Sequence, residues 1–519
     1  MNKAKILWVD DEVEFLQPHI LFLRDKGYDV ETATNAEDGI ELIRNQKVDL
    51  LLIDEMMPGL DGLTAVSQIK QINPGLPIIM ITKNEEESLM EDAIGAQITD
   101  YLTKPVNPSQ ILLAAKKILE SRNISQKKFT RDYMQELNKI NLRLMDRLEP
   151  EDWIDIFLKL STWDVELDAV PDKNLREIIQ NQRRECNVEF GKYIERNYLD
   201  WVNAPRDERP TLSHDIITKY VYPELKAGKK VAFFVIDCLR LDQWLSLEPY
   251  FYDYYKIQKD YYYSILPTAT PYARNAIFSG LLPSDLEKRY PEMWAQGEDD
   301  DSSRNRYEKE LLYDHLRLLG LKLDAEPRYL KIISAEEGYN LEKNLSSHMN
   351  TPLLSVVVNF VDILAHSRSD LPILKQIAPD EPSYRSLTCS WFEHSPIYSV
   401  FKQLAEQDVT IFVTSDHGSI RCMRGTKVLG DRETSTNLRY KYGRNLKADN
   451  KHAFFIHDPE EGKLPKRNIN MNYIVAKEDY YFVYPTNYHK YLSYYRDSFQ
   501  HGGISLEEMV LPVIKLQPK

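Results

Sequence analysis

Apolar residues gather along this chain in short, β-branched runs that end in charged or hydroxyl-bearing residues, and these runs alternate with stretches of helical period. Ile6-Leu7-Trp8-Val9 stops at Asp10-Asp11-Glu12, Val48 to Ile53 at Asp54, Pro77 to Ile81 at Thr82, and Ile98 to Leu102 before Lys104-Pro105. Each run reads as a buried strand. Residues 15–26 read as an amphipathic helix closed by Gly27. Strands alternating with helices predict a parallel sheet, which collects these polar residues along one edge.

From about residue 121 to 205 the pattern changes. Phe129, Tyr133, Leu137, Ile140, Leu144 and Leu148 recur at three to four and predict a helix with one apolar face. Trp153, Ile156, Leu160 and Trp163 predict a second helix, and Leu175, Ile178, Ile179 and Cys186 a third. No strand signal appears, and Ala204 to Pro210 reads as a polar, proline-bounded linker.

Strand-type runs then return. Val231 to Ile236 ends at Asp237, and Leu353 to Phe360 ends at Asp362 with His366 four residues on. Ile411 to Thr414 runs into Ser415-Asp416-His417-Gly418, and His501-Gly502-Gly503 precedes an apolar run from Met509 to Ile514. Between them Leu266 to Pro271 forms a hydroxyl-bearing turn with Thr270 near its end.

Length and composition add bounds. A chain of 519 residues with 43% hydrophobic and 11% aromatic content can bury sizeable cores in roughly three domains. A net charge of −14 argues against a chain that coats nucleic acid, and no reader motif appears, so no direct DNA binding is expected. Cys186, Cys238, Cys389 and Cys422 are too scattered for a disulfide framework or a zinc ribbon, and read as buried thiols in a reducing compartment. No signal peptide or bilayer-length apolar run appears, so the expectation is a cytoplasmic protein.

Two sets of residues carry chemistry. Asp10, Asp11 and Asp54 crowd carboxylates together, which calls for a divalent cation such as Mg²⁺. A carboxylate beside that ion can attack a phosphoryl donor, with the Thr82 hydroxyl and the Lys104 ammonium stabilising the acyl phosphate. Asp237, Asp362, His366, Asp416, His417 and His501 offer six oxygen and nitrogen donors, which fit two zinc-like ions better than one. Two such ions can clamp an in-line phosphoryl displacement, and Thr270 supplies a hydroxyl to attack. His214, His348 and His394 read as surface or packing residues. The basic run Arg421, Arg424, Lys427, Arg432, Arg439, Lys441 and Arg444 is either a solvated face or a polyanion-steering strip. Residues 283–350 lack motif residues and read as an insertion roofing the site.

The first 120 residues resemble the receiver domain of bacterial response regulators, and Met57 to Gly62 matches the loop after the phosphoacceptor in that family. The resemblance implies that Asp54 is phosphorylated, that Asp10 and Asp11 hold Mg²⁺, that Thr82 and Lys104 sense the phosphoryl group, and that Tyr101 is the aromatic switch. Lys83 replaces a small residue of the family pattern, and the turn from Gly95 to Tyr101 is longer than usual. The ordered motifs from Asp237 to His501 resemble the alkaline phosphatase superfamily, in particular its phosphodiesterase and PglZ-type members. That resemblance implies Asp237, Thr270, Asp416 and His417 around one Zn²⁺, and Asp362, His366 and His501 around the other. Phosphodiesterase relatives place an asparagine three residues after the nucleophile, where this chain has Ala273; Arg274 and Asn275 are the candidate substitutes for substrate binding.

The predicted fold class is α/β multidomain: a flavodoxin-like receiver over 1–120, a helical bundle connector over 121–205 and an alkaline-phosphatase-like α/β domain over 206–519. This order resembles the response regulators associated with type IX secretion. It implies a sensor histidine kinase as partner, contact with secretion components and a sigma factor, and a homodimer on phosphorylation. The expected activity is zinc-dependent cleavage of nucleotide-type phosphodiesters. The alternative is a catalytically silent, metal-stabilised regulator acting through protein–protein contacts.

Overall fold

The computed structural model describes residues 4–83, 98–169, 172–295, 305–431, 435 and 437–519; Gly95 to Gln97 and Arg432 lie outside them. The chain divides into two compact units, Met1–Glu136 and Leu137–Lys519.

The first unit is built on five parallel strands, β1 (Lys5–Val9), β2 (Asp29–Ala33), β3 (Leu50–Asp54), β4 (Ile78–Thr82) and β5 (Asp100–Thr103), in the order β2-β1-β3-β4-β5. Side chains alternate faces along each strand. Leu7, Val9, Leu51 and Ile53 therefore enter one core, while Ile6, Trp8, Leu50 and Leu52 enter the other. Helices α1 (Gln17–Asp25), α2 (Ala36–Asn45) and α3 (Gly62–Ile72) cover the sheet. The order reverses between β1 and β3, which opens a crevice at their carboxyl ends where Asp10 and Asp54 emerge. The hydrophobic pattern did not reveal β2: on this edge strand only Val30 and Ala33 are buried.

Helix α4 runs without a break from Pro108 to Arg143. The helix expected from Phe129 onward is thus the continuation of the helix that follows β5, because no glycine or proline interrupts the chain between Pro108 and Pro150. Leu144 and Leu148 fall beyond its end. Two further helices follow, α5 (Pro150–Glu166), started by Pro150 and a capping box at Glu149, and α6 (Lys173–Asn203), whose N-cap Asp172 accepts from the Leu175 N–H.

The second sheet has six strands, β6 (Val231–Ile236), β7 (Tyr255–Tyr263), β8 (Arg328–Ile332), β9 (Leu353–Val358), β10 (Thr410–Thr414) and β11 (Val510–Pro518), in the order β7-β11-β10-β6-β9-β8. The strands from β10 to β8 run parallel; β11 pairs antiparallel with both β10 and β7. Strands β7 and β8, which the sequence pattern also left unread, are again the two edges.

The helices and this sheet share one core. Ile140, Trp153, Ile156, Phe190 and Trp201 pack with Phe233, Val235, Tyr263 and Leu511. A buried ionic layer joins α5 and α6 to two helices outside the sheet, α7 (Leu241–Leu247) and the helix Glu381–His394. The Arg385 guanidinium donates to Asp164, Asp168 and Asp242, each at 2.8 Å. Arg183 of α6 donates to Glu381 at 3.0 Å and lies 3.5 Å from Glu507, and Arg240 pairs with Asp242 and Glu381. Stripping any one partner would leave a charge buried and unmatched. The expected linker is pinned as well, since Arg206 and Arg209 both donate to the buried Asp215.

Candidate functional site

At the carboxyl edge of the first sheet Asp10 and Asp54 are buried and Asp11 is exposed, with their carboxylate oxygens within 4.8 Å of one another. Lys104 Nζ donates to Asp54 at 2.9 Å and to Asp10 at 3.2 Å. Burial raises the Asp54 pKa above the usual carboxylate value, and Lys104 works against that rise. The Thr82 hydroxyl donates to Glu55, while Tyr101 is 42% exposed. Gly62 closes the loop after Asp54; a Cβ there would sit 2.3 Å from the Asp54 carbonyl oxygen. Three converging carboxylates fit a hard cation such as Mg²⁺.

In the second sheet β10, β6 and β9 are neighbours, so their carboxyl ends deliver side chains to one place. Asp237 follows β6, Asp416 and His417 follow β10, and Thr270 is the first residue of α8 (Thr270–Ser279). Helix α9 (Phe360–Asp370), which follows β9, carries Asp362 and His366 one turn apart. His501 follows the short strand Ser498–Gln500.

These donors fall into two groups, Asp237 with Asp416 and His417, and Asp362 with His366 and His501; within each, the ligand atoms lie within 4.8 Å of one another. His417 Nδ1 lies 3.1 Å from the Gly418 carbonyl, so it carries the proton and Nε2 presents its lone pair. That Nε2 faces Thr270 Oγ at 2.9 Å, Asp237 Oδ1 at 3.6 Å and Asp416 Oδ2 at 3.8 Å. In the other group His366 Nε2 and His501 Nε2 are 3.2 Å apart, and Asp362 Oδ1 is 3.4 Å and 3.7 Å from them.

The residues present fit metal ions. Asp237 Oδ1 and Asp416 Oδ2 are buried and accept no hydrogen bond, an arrangement that costs free energy without a cation. Burial pushes Asp237 up to about 8 against the pull of Arg274, and Asp416 up to about 6. Burial alone would raise Asp362 too, but His366, His501 and His417 hold it well below the usual range. Mixed carboxylate and imidazole donors suit Zn²⁺ or Mn²⁺.

Cys238 holds a left-handed backbone with φ 64, which turns its N–H to Asp416 Oδ1 at 3.3 Å. The next N–H, of Leu239, reaches Ser415 Oγ at 2.9 Å. Strain of this kind is stored where surrounding contacts over-determine it.

Arg274 and Asn275 are both 1% exposed. The Arg274 guanidinium lies on Asp237 and Glu308, and the Asn275 amide donates to the Pro271 carbonyl at 2.9 Å. Glu308, Asn305 and Asn359 belong to this neighbourhood and were not foreseen. Glu308 lies 34 residues from Arg274, inside the segment that had shown no motif, so no spacing rule links them. The basic run turns inward: Arg439 pairs with Glu508, Arg424 with Glu478 and Asp479, Arg421 with Asp497, and Lys441 donates to the Ser435 carbonyl. Arg439 and Lys441 are buried in these contacts, while Arg421 and Arg424 stay partly exposed. Among the described residues no helix is long and apolar enough to cross a membrane.

Three families match consecutive stretches: the response regulator receiver domain over residues 6–116, the PorX response regulator linker domain over 123–202, and the BREX system PglZ alkaline phosphatase-like domain over 216–516, more than half of the chain. Alkaline phosphatase synthesis transcriptional regulatory protein PhoP of Bacillus subtilis (strain 168) is 36% identical over 127 residues, 24% of this chain and 52% of PhoP. Transcriptional regulatory protein ResD of the same strain is 35% identical over 118 residues, 23% of this chain and 49% of ResD. The chain thus spans about half the length of these two relatives. A receiver domain protein (CheY-like) from Methanospirillum hungatei JF-1, 29% identical, is covered over 99% of its length by 24% of this chain, with a TM-score of 0.23.

Proposed function

The chain belongs to the PglZ alkaline phosphatase-like family and, with a receiver domain and a PorX linker ahead of that domain, is a PorX-type response regulator; from that premise we propose that phosphorylation of Asp54 controls a zinc-dependent phosphodiesterase acting through Thr270. The observation that carries the enzymatic part is the division of the Asp and His donors into two groups of three, with Thr270 Oγ against one of them. Zinc, when bound, lowers the proton affinity of an attached hydroxyl and neutralises charge on the reacting phosphoryl group. Thr270 is the first residue of α8, at the positive end of the helix dipole, which favours negative charge on Oγ. Attack of Thr270 Oγ on the phosphorus of a diester releases one alcohol and leaves a diester in which the phosphorus joins Thr270 Oγ to the second alcohol. Water then displaces the threonine and frees the monoester.

The substrate class is a nucleotide-type phosphodiester, and the regulator works in the cytoplasm with a sensor histidine kinase upstream. Phosphorylation shifts a receiver-mediated dimer equilibrium, which repositions the effector. Downstream contacts with a sigma factor and type IX secretion components complete this reading. Hydrolysis of bis-p-nitrophenyl phosphate by zinc-loaded protein, beside Thr270→Ala, tests the activity. Turnover that survives in the variant would exclude Thr270 as nucleophile.

A second reading is favoured by one observation. Ala273 is buried where phosphodiesterase relatives place an asparagine, and it offers no side-chain group to a phosphate oxygen. In this reading the metals stabilise a regulator that works by protein contacts alone. Absence of turnover from wild-type protein holding two zinc ions would select it.

A further inference from the structure

Asp237 uses its two oxygens differently. Oδ2 accepts from Arg274 Nη1 and from Asn359 Nδ2 at 3.0 Å. Oδ1 accepts nothing and lies 3.6 Å from His417 Nε2, among the donors of the first metal group. Arg274 reaches Asp237 from one turn beyond Thr270 on α8, and its Nη1 also lies 3.7 Å from Asp416 Oδ2. Its Nε donates to Glu308 Oε1. Glu308 is held in turn: Oε1 also accepts from Asn305 Nδ2 at 2.7 Å, Oε2 accepts from the Tyr329 hydroxyl, and Lys331 Nζ lies 3.8 Å away. Arg274 and Glu308 are fully buried.

We propose that Arg274 and Glu308 form a positioning pair that sets the Asp237 carboxylate for metal binding, with Glu308 locking the guanidinium and the guanidinium locking Oδ2. Both residues lie outside the two donor groups, and the proposal rests on the two-metal reading above. The planar fork of arginine donates to Glu308 and Asp237 at once, which a lysine ammonium on a flexible stem cannot reproduce. Charge supports the pairing. A lone buried guanidinium beside Asp237 and Asp416 would repel an incoming cation, whereas the Arg274–Glu308 pair is neutral as a unit and orients without opposing it. The pair also gives the segment around residues 305–331 a defined task, since Asn305, Tyr329 and Lys331 all converge on the Glu308 carboxylate that holds this guanidinium.

The test is zinc titration of the full chain against a chromophoric chelator, for wild type, Arg274→Lys, Glu308→Gln and His366→Ala. Wild type should take two zinc ions. Arg274→Lys should weaken one of them by about 10–100-fold and leave the other unchanged, in line with the effect of removing an outer partner of a metal ligand. Glu308→Gln, which keeps the shape and the acceptor oxygen, should weaken the same ion to a smaller extent, and His366→Ala should weaken only the other one. Unchanged affinities in both Arg274→Lys and Glu308→Gln, with two ions bound by wild type, would overturn the pair alone. An equal loss at both sites together with a lower melting temperature would make the pair a packing element and overturn it too. Wild-type protein that takes no zinc would overturn the two-metal reading, and the pair with it.

Discussion

Thr270 Oγ lies 2.9 Å from His417 Nε2, the nitrogen that the Gly418 carbonyl leaves free by holding the other one. A hydroxyl and an imidazole facing one another among carboxylates give the first prediction. Thr270→Ala should lower phosphodiester turnover by about a thousandfold or more while leaving the melting temperature nearly unchanged. Thr270→Ser keeps the oxygen and should retain measurable turnover. Rates with bis-p-nitrophenyl phosphate decide it; equal loss in both variants would assign the threonine a packing role.

Zinc removal should act on one unit only. Crowded carboxylates at Asp237, Asp416 and Asp362 repel one another without a cation, so a zinc-selective chelator in magnesium-containing buffer should lower the melting transition of the unit Leu137–Lys519 and leave that of the receiver in place. Ligand linkage puts the difference at about 4 kcal/mol when free zinc stands a thousandfold above its dissociation constant. Calorimetry with and without chelator reads both transitions. A single transition that ignores the chelator would count against metal in this domain.

Acid should destabilise the larger unit through two imidazoles. Burial lowers His214 to about 4, opposed by Asp215, and lowers His315 to about 4, where Nδ1 donates to the Phe278 carbonyl at 3.1 Å. The native state then binds fewer protons than the unfolded chain, so this stability is full above the ordinary histidine value and is lost as pH falls from about 6.5 toward 4. The loss is about 2 kcal/mol per imidazole by pH 5. Denaturant melts across that range should show the fall, and His315→Gln should remove about half of it.

Gly418 has no room for a side chain: a Cβ there would lie 1.9 Å from the Glu507 carbonyl oxygen. Gly418→Ala must therefore move the backbone next to His417, and should cost several kcal/mol, about the range of severe point mutants. Zinc content measured on the purified variant should fall together with its melting temperature. Native-like values of both would show that the loop yields freely.

The receiver makes a separable prediction. Asp54→Asn removes the carboxylate beside Lys104 proposed as the phosphoryl acceptor and should abolish labelling by a phosphoryl donor and the mass increase expected with beryllofluoride. Light scattering on both proteins reads the second effect, and an unchanged wild-type mass would sink the dimer step.

The donors at the ends of interior strands were legible because an apolar run that stops at a polar residue marks the carboxyl end of a buried strand. Asp54, Asp237 and Asp416 all stand there. Three of the strands left unread, β2, β7 and β8, are sheet edges, where one side faces solvent and residues such as Lys256, Lys259 and Arg328 dilute the apolar signal. The fate of the basic run was equally out of reach, because the partners Glu478, Asp497 and Glu508 are distant in sequence and charge alone cannot tell a paired arginine from a free one. Glu308 stayed hidden for the same reason.

The ionic layer between α5, α6 and the helices Leu241–Leu247 and Glu381–His394 bears on how this protein can be rebuilt. Ala204 to Pro210 invites a cut, and an exchange of effectors made there would carry off Arg240, Arg385 and Glu381 without the Asp164, Asp168 and Arg183 that answer them. A transplantable effector has to travel with its own helices. The seam where modules can be swapped lies upstream, inside α4, at the boundary between Glu136 and Leu137.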